Sequence, residues 1–289
     1  MKIKIIILSL VFSLIPFSAN AIYMGESAEN DKLVLTTREN AGCSAALIAP
    51  RILAMAQHCP SSIGTRYVYP KDYYLALESA YVVAKFVPNG NFLGGREYDI
   101  MLLVLDKEFP VSNKIKIAKE EDILKWKSNQ TEIVTYGFGE IRPGYRADTA
   151  QKASFYISSN PDLGNGISAS YTSVLSLNPK NNISEICNGD SGGPSYVFEN
   201  ESIYYIGASI STNKMNGCGS EQHKLPIARV QTLYPFINLI DQANSWIAEN
   251  PLKKVEPVKT VTIKCVKWKL TKKVSGINPK CPKGYKKVL

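Results

Sequence analysis

The stretch from Cys187 to Pro194 has the composition of a loop that presents a nucleophile. It reads Cys-Asn-Gly-Asp-Ser-Gly-Gly-Pro, so Ser191 stands among glycines and next to an acid. Glycine allows left-handed backbone and lets neighbouring N–H groups converge on one spot. Ser191 is therefore a candidate nucleophile, and the N–H groups of Gly189 and Ser191 could form an oxyanion hole. The alternative is an ordinary glycine-rich turn that carries a solvated serine.

These residues strongly resemble the nucleophile loop of the trypsin-like serine proteases, which have the chymotrypsin fold, and two other segments match. His58 lies in Ala-Gln-His-Cys, one substitution from the family's Ala-Ala-His-Cys. Asp99 opens the run Asp-Ile-Met-Leu-Leu, which is similar to the family's Asp-Ile-Ala-Leu-Leu. An acid at the head of such an apolar run is costly unless it has a hydrogen-bond partner. The resemblance implies that His58 is the general base and that Asp99 accepts a hydrogen bond from it.

The chain order of the three residues separates this family from others with the same chemistry. His58 precedes Asp99, and Ser191 comes last, as in the trypsin-like family. Subtilisin-like enzymes have the order Asp, His, Ser, and the α/β-hydrolases have the serine first. The alternatives are a structural or surface histidine and a solvent-facing acid at the start of a strand.

The resemblance covers roughly residues 22–250 and implies an all-β fold of two packed six-stranded antiparallel β-barrels. The first barrel would supply His58 and Asp99, and the second would supply Ser191. Small and apolar residues on both sides of Pro50 predict two short buried strands joined by a turn. The segment 106–186 has mostly the pattern of strands and turns. The resemblance implies a C-terminal helix packed on the second barrel, and helical spacing agrees at Ile237, Ile240 and Trp246.

The N-terminal 21 residues have the pattern of a secretion signal. A basic start is followed by an apolar run to Phe17 and a small-residue cleavage site that ends at Ala21. A transmembrane anchor needs about 20 apolar residues, and this run is shorter and contains Pro16. We therefore expect residues 1–21 to be removed on export, which would leave a secreted protein, or a periplasmic one if the source is Gram-negative. No later segment has the length and apolarity of a membrane span.

Cleavage after Ala21 would create the new start Ile22-Tyr-Met-Gly, which is similar to the Ile-Val-Gly-Gly of the activated family. In that family the new α-amino group pairs with the acid beside the nucleophile, which is Asp190 here. The pair would hold the oxyanion loop in shape. The alternative is a mobile terminus without a role.

The six cysteines are an even number behind an export signal, which favours disulfides over free thiols. Cys43 and Cys59 bracket the turn at Pro50 and could be joined across it. The two cysteines of the C-terminal tail most simply form one disulfide, Cys265–Cys281. The resemblance implies the remaining pair, Cys187–Cys218, which would close one wall of the substrate pocket.

The primary specificity is the least constrained property of the sequence. Glu185 precedes Cys187 by two residues and corresponds to the floor of the family's pocket, where an acid favours Lys or Arg in the substrate. However, glutamate is longer than the aspartate of trypsin. The wall Ser209-Ile-Ser211 replaces the family's Ser-Trp-Gly, and no pocket-opening glycine lies near Lys224. Glu185 could therefore be partly blocked, or neutralised by Lys224.

Charge divides the chain near Pro251. Residues 251–289 contain twelve lysines and a single acid, so their net charge is +11 within a whole-chain value of +9. With +2 in the signal, residues 22–250 carry −4. This predicts a signal peptide (1–21), a protease domain (22–250) and a basic C-terminal extension (251–289).

The extension allows two interpretations. It could be a solvated, disulfide-pinned tail without a binding role, or it could attach to an anionic surface such as a cell-wall polymer or lipid head groups. Its aromatic content, Trp268 and Tyr285, is too small to argue for nucleic-acid binding.

Together these features predict a secreted, monomeric serine endopeptidase that needs no cofactor and no metal. It would hydrolyse peptide bonds of protein or peptide substrates through an acyl-enzyme. Two alternatives are a catalytically silent protease-like binding protein and an esterase. Silent homologues usually lose the histidine, the aspartate or the serine, and this chain keeps all three.

Overall fold

The computed structural model describes most of the chain after the expected signal. The described residues are 22–28, 31–37, 42–68, 79–89, 98–111, 115–142, 144–158, 174–181, 183–212, 218, 228–252, 261–276 and 278–288. The chain divides after Asn250 into two compact units. Among the described residues, no helix has both the length and the apolarity that a membrane span requires.

After the short strand β1 (Glu26–Ser27), six strands close into a first barrel with antiparallel neighbours throughout. The order around this barrel is β2-β3-β4-β7-β6-β5. Strands β3 and β4 flank Pro50, which confirms the two short buried strands predicted there. The six strands are β2 (Val34–Thr37), β3 (Ser44–Ala49), β4 (Ile52–Met55), β5 (Arg66–Val68), β6 (Ser79–Phe86) and β7 (Met101–Leu105).

Strand β7 explains why the segment after Asp99 is apolar without a break. Met101, Leu103 and Leu105 point into the first barrel, whereas Leu102 and Val104 join a second apolar cluster between the barrels. Side chains of a strand alternate between its faces, so a strand covered on both faces is apolar throughout.

The second half of the unit adds helix α1 and a second barrel. Six strands close in the order β9-β12-β13-β16-β15-β14, again with antiparallel neighbours, while β8 runs parallel to β15 outside the ring. The two six-stranded barrels confirm the predicted fold class. The elements are β8 (Ile115–Ile117), α1 (Glu120–Asn129), β9 (Ile133–Gly137), β10 (Glu140–Arg142), β11 (Tyr145–Arg146), β12 (Gln151–Ile157), β13 (Val174–Pro179), β14 (Pro194–Glu199), β15 (Ser202–Thr212) and β16 (Ala228–Thr232).

Helix α1 was not predicted, because its apolar periodicity is weak. Only Ile123 and Trp126 are buried on it. Its start is set instead by polar groups: the Lys119 N–H donates to the Asp122 carboxylate at 3.0 Å, and acids fill the first turn. Negative side chains at a helix N-terminus compensate its free N–H groups and its dipole.

The C-terminal helix α2 (Asn238–Glu249) follows a 3₁₀ turn at Tyr234–Phe236 and confirms the predicted helix. Its expected packing on the second barrel is wrong, since it contacts β6 and β7 of the first barrel. Leu239 and Ala243 are its buried residues, whereas Ile237 is 48% exposed. The helix therefore links the last strand of the second barrel to the outside of the first.

The structure contains three disulfides, as the cysteine count predicted. Cys43–Cys59 lies in the first barrel, with Cα atoms 6.1 Å apart. Cys187–Cys218 ties down the start of the serine loop, with Cα atoms 5.5 Å apart. Cys265–Cys281 lies in the C-terminal unit, with Cα atoms 5.6 Å apart.

The C-terminal unit contains a small antiparallel sheet in the order β18-β17-β19. Its core is thin, because Ile263 and Cys265 are its only described residues with less than a tenth of their surface exposed. The disulfide adds a covalent constraint that such a core needs. The strands are β17 (Val261–Lys267), β18 (Leu270–Gly276) and β19 (Lys286–Val288).

Candidate active site

Asp99 and His58 form a two-point contact in the first barrel. The backbone N–H of His58 donates to Asp99 Oδ1 at 2.9 Å, and the ring Nδ1 lies 2.7 Å from Oδ2. Asp99 is fully buried, whereas the His58 side chain is 30% exposed. Because a carboxylate only accepts, this contact puts a proton on Nδ1 and leaves Nε2 as the acceptor of the neutral ring.

The backbone before Asp99 is strained, and the second barrel supports it. Tyr98 has a left-handed φ of 57°, which is unfavourable for a bulky residue. The Asp99 N–H donates to Oε1 of the buried Gln231 on β16 at 3.3 Å. The Tyr98 ring packs against Phe236 with 5.5 Å between centroids. His58 in the first barrel therefore holds the carboxylate, and Gln231 in the second barrel holds the backbone of the same residue.

The serine loop is fixed to the first barrel through Ser44, at the start of β3. The Ser44 N–H donates to the Ser191 carbonyl at 2.8 Å, and its hydroxyl donates to the Gly189 carbonyl at 2.9 Å. The same hydroxyl oxygen accepts the N–H of Phe138 at 3.0 Å. Ser44 follows Cys43, whose disulfide partner Cys59 is the neighbour of His58. The structure thus brings the serine loop and His58 to the same edge between the barrels.

Gly192 shows how closely the loop approaches β3 and β4. Its φ is +81°, and a Cβ there would lie 2.2 Å from the Ser44 carbonyl oxygen and 3.0 Å from Met55 Cβ. Only glycine meets both requirements. Ala56 and Met55, which lead directly to His58, therefore contact the residue that follows Ser191.

The backbone N–H groups of the loop divide into two sets. Those of Asp190, Gly192 and Gly193 donate within the protein, to carbonyl oxygens of Cys187, Ser209 and Asp190. Within the described part of the chain, no acceptor takes the N–H of Gly189 or Ser191. Gly189 has a φ of 95°, the left-handed conformation that the glycine allows. As far as the described residues go, two neighbouring N–H donors beside the serine are therefore without an acceptor.

Asp190 is a buried carboxylate held by two backbone groups. The N–H of Gly139 donates to Oδ1 and that of Cys187 to Oδ2, both at 2.7 Å. Burial raises the pKa of Asp190 to about 7, although these two hydrogen bonds and the positive Arg146 oppose the shift. Among the described residues, no cation lies within ion-pair distance of this carboxylate.

Ile22, the expected mature N-terminus, lies in the interior of the second barrel. It is fully buried in the same apolar cluster as Ile186. The next residue, Tyr23, pairs with Glu185, whose N–H donates to the Tyr23 carbonyl at 3.1 Å. Ile22 and Met24 have left-handed φ angles of 53° and 57°. Among the described residues, neither a hydrogen bond nor an ion pair joins Ile22 to Asp190, whose two carboxylate oxygens accept from Gly139 and Cys187.

The expected pocket residues are only partly covered by the described chain. Glu185 is buried, and one of its carboxylate oxygens lies within 4.8 Å of both sulfurs of Cys187–Cys218. The Ser209 side chain is buried and its hydroxyl has no hydrogen-bond partner within the described residues. The side chain of Ser211, and residues 219–227 with Lys224, lie outside them.

Two groups of potential metal ligands occur near the site. They are Cys43, His58 and Cys59, and Glu185, Cys187 and Cys218. In each group both sulfurs belong to a disulfide, so neither supplies the thiolate that binds metals. The chemistry of these donors does not fit a metal centre.

A cleft of about 800 Å³ lies elsewhere, on the outside of the second barrel. None of the predicted site residues lines it. Both lysines that line it are paired: Lys180 contacts Glu132 at 2.6 Å, and Lys152 contacts Asp31 at 2.9 Å. The predicted site residues therefore lie away from this cavity.

The structure has two antiparallel six-stranded barrels, and a buried aspartate, a histidine and a glycine-rich serine loop lie where they meet. This arrangement is that of the chymotrypsin fold of serine proteases. The family model described as Trypsin matches residues 23–237, and the chain belongs to this family. A comparison with curated proteins gives no match. The protein thus has a trypsin-like serine protease domain, whose substrates are proteins or peptides, and its disulfides are typical of extracellular proteins.

Proposed function

We propose that this protein is a secreted serine endopeptidase in which Ser191, His58 and Asp99 form the catalytic triad. The observation that carries the proposal is the 2.7 Å contact between His58 Nδ1 and the fully buried Asp99 carboxylate. It selects the tautomer whose Nε2 can accept a proton, and the carboxylate stabilises the imidazolium that results.

In the proposed reaction, Nε2 of His58 takes the proton of the Ser191 hydroxyl while Oγ attacks the substrate carbonyl carbon. The oxyanion of the tetrahedral intermediate accepts hydrogen bonds from the N–H groups of Gly189 and Ser191, which lack acceptors among the described residues. His58 then gives its proton to the leaving amine. Water hydrolyses the acyl-enzyme by the same route.

Replacing the proposed nucleophile tests this mechanism. Ser191→Ala should abolish hydrolysis of a peptide amide and labelling by a fluorophosphonate, with an unchanged far-UV circular dichroism spectrum. Ser202→Ala removes a hydroxyl at the start of β15 and is the matched control. Wild-type turnover in Ser191→Ala would exclude the mechanism. Absence of labelling in the wild type would favour a silent binding protein, and esters cleaved without amides would favour an esterase.

We also propose a preference for Lys or Arg before the scissile bond. The burial of Glu185 beside the Cys187–Cys218 disulfide supports it, because a buried carboxylate gains from a cationic partner. A peptide panel that varies only the residue before the scissile bond tests this proposal. Glu185→Gln should reduce kcat/KM for Lys and Arg peptides more than for neutral ones, and an equal reduction would contradict it.

Maturation is proposed to follow from export, since removal of residues 1–21 would free the amine of Ile22, which the family resemblance pairs with Asp190. The support is that Ile22 is buried and that, among the described residues, no cation lies within ion-pair distance of Asp190. Mass analysis of the secreted active form should give Ile22 as its first residue. An active form with another start would refute this step.

The extension 251–289 is proposed to attach the monomeric enzyme to an anionic surface. The sequence contains ten lysines after Pro257 and no acidic residue after Glu256. Such a density of like charge attracts polyanions at low ionic strength.

A further inference from the structure

The sheet of the C-terminal unit has one covered face and one open face. Residues opposite each other in an antiparallel pair share a face, and so do residues two apart. On one face, Ile263 and Cys265 are buried, and the disulfide to Cys281 joins the following loop to it. The other face carries Lys264, Val266, Thr271, Lys273, Ser275, Lys286 and Val288, most of them exposed.

The open face carries three exposed lysines, as the other face also does with Lys267, Lys272 and Lys287, and none of its three has an ion-pair partner among the described residues. Lys264 on β17 stands directly opposite Lys273 on β18, and Lys286 on β19 stands opposite Val266. Like charges opposite each other destabilise a sheet. The sequence from Pro257 onward contains no aspartate or glutamate that could compensate them. The described residues of the unit therefore supply no acidic side chain to this face, and an anionic partner would supply one.

The end of the same hairpin is apolar and uncovered. Trp268 stands in the turn between β17 and β18, where it is 92% exposed and has a left-handed φ of 56°. Leu270, at the start of β18, is 63% exposed. The unfavourable backbone conformation at Trp268 and the exposure of its apolar ring to water do not stabilise the folded unit.

Lysines beside an exposed tryptophan match the chemistry of an anionic bilayer surface. Tryptophan partitions to the region between head groups and acyl chains, and lysine side chains reach from there to the phosphates. We propose that the open face of β17, β18 and β19 binds anionic lipid bilayers, with Trp268 at the tip of the hairpin entering the interface. This narrows the anionic attachment proposed above and does not depend on the peptidase assignment.

A soluble polyanion offers a contrasting partner. It would neutralise Lys264, Lys273 and Lys286 equally well, but it has no apolar phase for Trp268. The contribution of Trp268 therefore distinguishes a bilayer from a wall polymer.

Vesicle co-sedimentation tests the proposal with the full mature chain, residues 22–289, as Ser191→Ala to prevent self-digestion. The vesicles contain equal parts of phosphatidylcholine and phosphatidylglycerol, with pure phosphatidylcholine as the neutral comparison. The chain should bind the anionic vesicles and not the neutral ones. Trp268→Ala should weaken this binding about 10-fold, Trp268→Tyr should retain most of it, and both variants should bind soluble polyphosphate like the parent chain.

A charge-matched pair of double variants tests the face itself. Lys264→Gln with Lys273→Gln should weaken vesicle binding by about 10-fold or more. Lys280→Gln with Lys283→Gln removes the same charge from exposed positions outside this face and should weaken it several times less. Equal losses in the two double variants, or full binding by Trp268→Ala, would overturn the bilayer proposal. Binding to polyphosphate but not to vesicles would assign the face to a polymer, and binding to neither would also remove the anionic attachment.

Discussion

Asp99 and Asp190 are both fully buried, but their negative charges are compensated in different ways. Asp99 accepts two hydrogen bonds from His58, one of them from a ring that can become a cation. Asp190 accepts two hydrogen bonds from backbone N–H groups, and burial raises its pKa to about 7. Asp99 has an ionisable partner in direct contact, whereas no described cation lies within ion-pair distance of Asp190.

Folding alone supplies the partner of Asp99, whereas a cation for Asp190 would be added only when the chain is processed. Asp99 and His58 belong to the first barrel, so their contact forms when that barrel closes. The candidate cation for Asp190, the amine of Ile22, does not exist until the chain is cut before this residue. On the proposed maturation, folding builds the proton-transfer half of the site, and cleavage stabilises the oxyanion half.

The largest expected effect comes from removing the charge of Asp99. In Asp99→Asn the side-chain amide would donate towards His58 Nδ1, which favours the tautomer that cannot accept the Ser191 proton. We expect kcat for a peptide amide to fall about 10⁴-fold with the fold retained. Asp148→Asn, an exposed acid, is the control and should be neutral. A loss smaller than tenfold in Asp99→Asn would place this carboxylate outside the reaction.

A larger residue at Gly139 should disturb the position of the Asp190 carboxylate. A Cβ at Gly139 would lie 2.5 Å from the Asp190 Cγ, so Gly139→Ala must displace the carboxylate or the serine loop. We expect kcat to fall at least about 100-fold, because an oxyanion donor is displaced, and stability to fall by about 1–3 kcal/mol. Gly276→Ala, whose nearest atom would be 4.0 Å away, should change neither. Unchanged peptide hydrolysis in Gly139→Ala would show that the loop tolerates displacement.

The pH dependence of stability should differ between the uncut and the processed chain. The folded pKa of Asp190 lies above its ordinary value of 3.8, so the uncut chain loses stability as the pH rises from about 4 to 7. The loss is on the order of a few kcal/mol for a shift of this size. An ion pair with Ile22 would lower the pKa and reduce the loss. Urea unfolding at both pH values, for chains with and without residues before Ile22, measures the difference, and equal losses would contradict the pair.

The sequence contains a local signal for the parts of the candidate site that lie in short motifs. His58, Asp99 and Ser191 each stand in a short segment with family-like neighbours, and the unbroken apolar run of β7 follows from burial on both faces. The long-range hydrogen bonds that hold these segments in place could not be predicted in the same way. Ser44 reaches Gly189 across 145 residues, and Gln231 reaches Asp99 across 132. A serine or glutamine in a strand carries no local signal for such a contact.

The prediction that helix α2 packs on the second barrel was wrong for a related reason. Its apolar spacing predicts one buried face but not which surface covers that face. The structure supplies β6 and β7 of the first barrel. Long-range arrangement, rather than local conformation, therefore sets the limit of prediction from this sequence.

The smallest expected effect is at Gln231, which holds the Asp99 backbone from the second barrel. Gln231→Leu leaves the buried Asp99 N–H without this acceptor, and we expect kcat to fall about tenfold with little change in KM. Gln231→Glu keeps an acceptor oxygen and should restore part of kcat. Gln151→Leu changes another buried glutamine of the second barrel and should affect stability without affecting kcat. Equal kcat losses in both leucine variants would mean that Gln231 acts only through the stability of the barrel, and that Asp99 is oriented by His58 and the strained turn at Tyr98 alone.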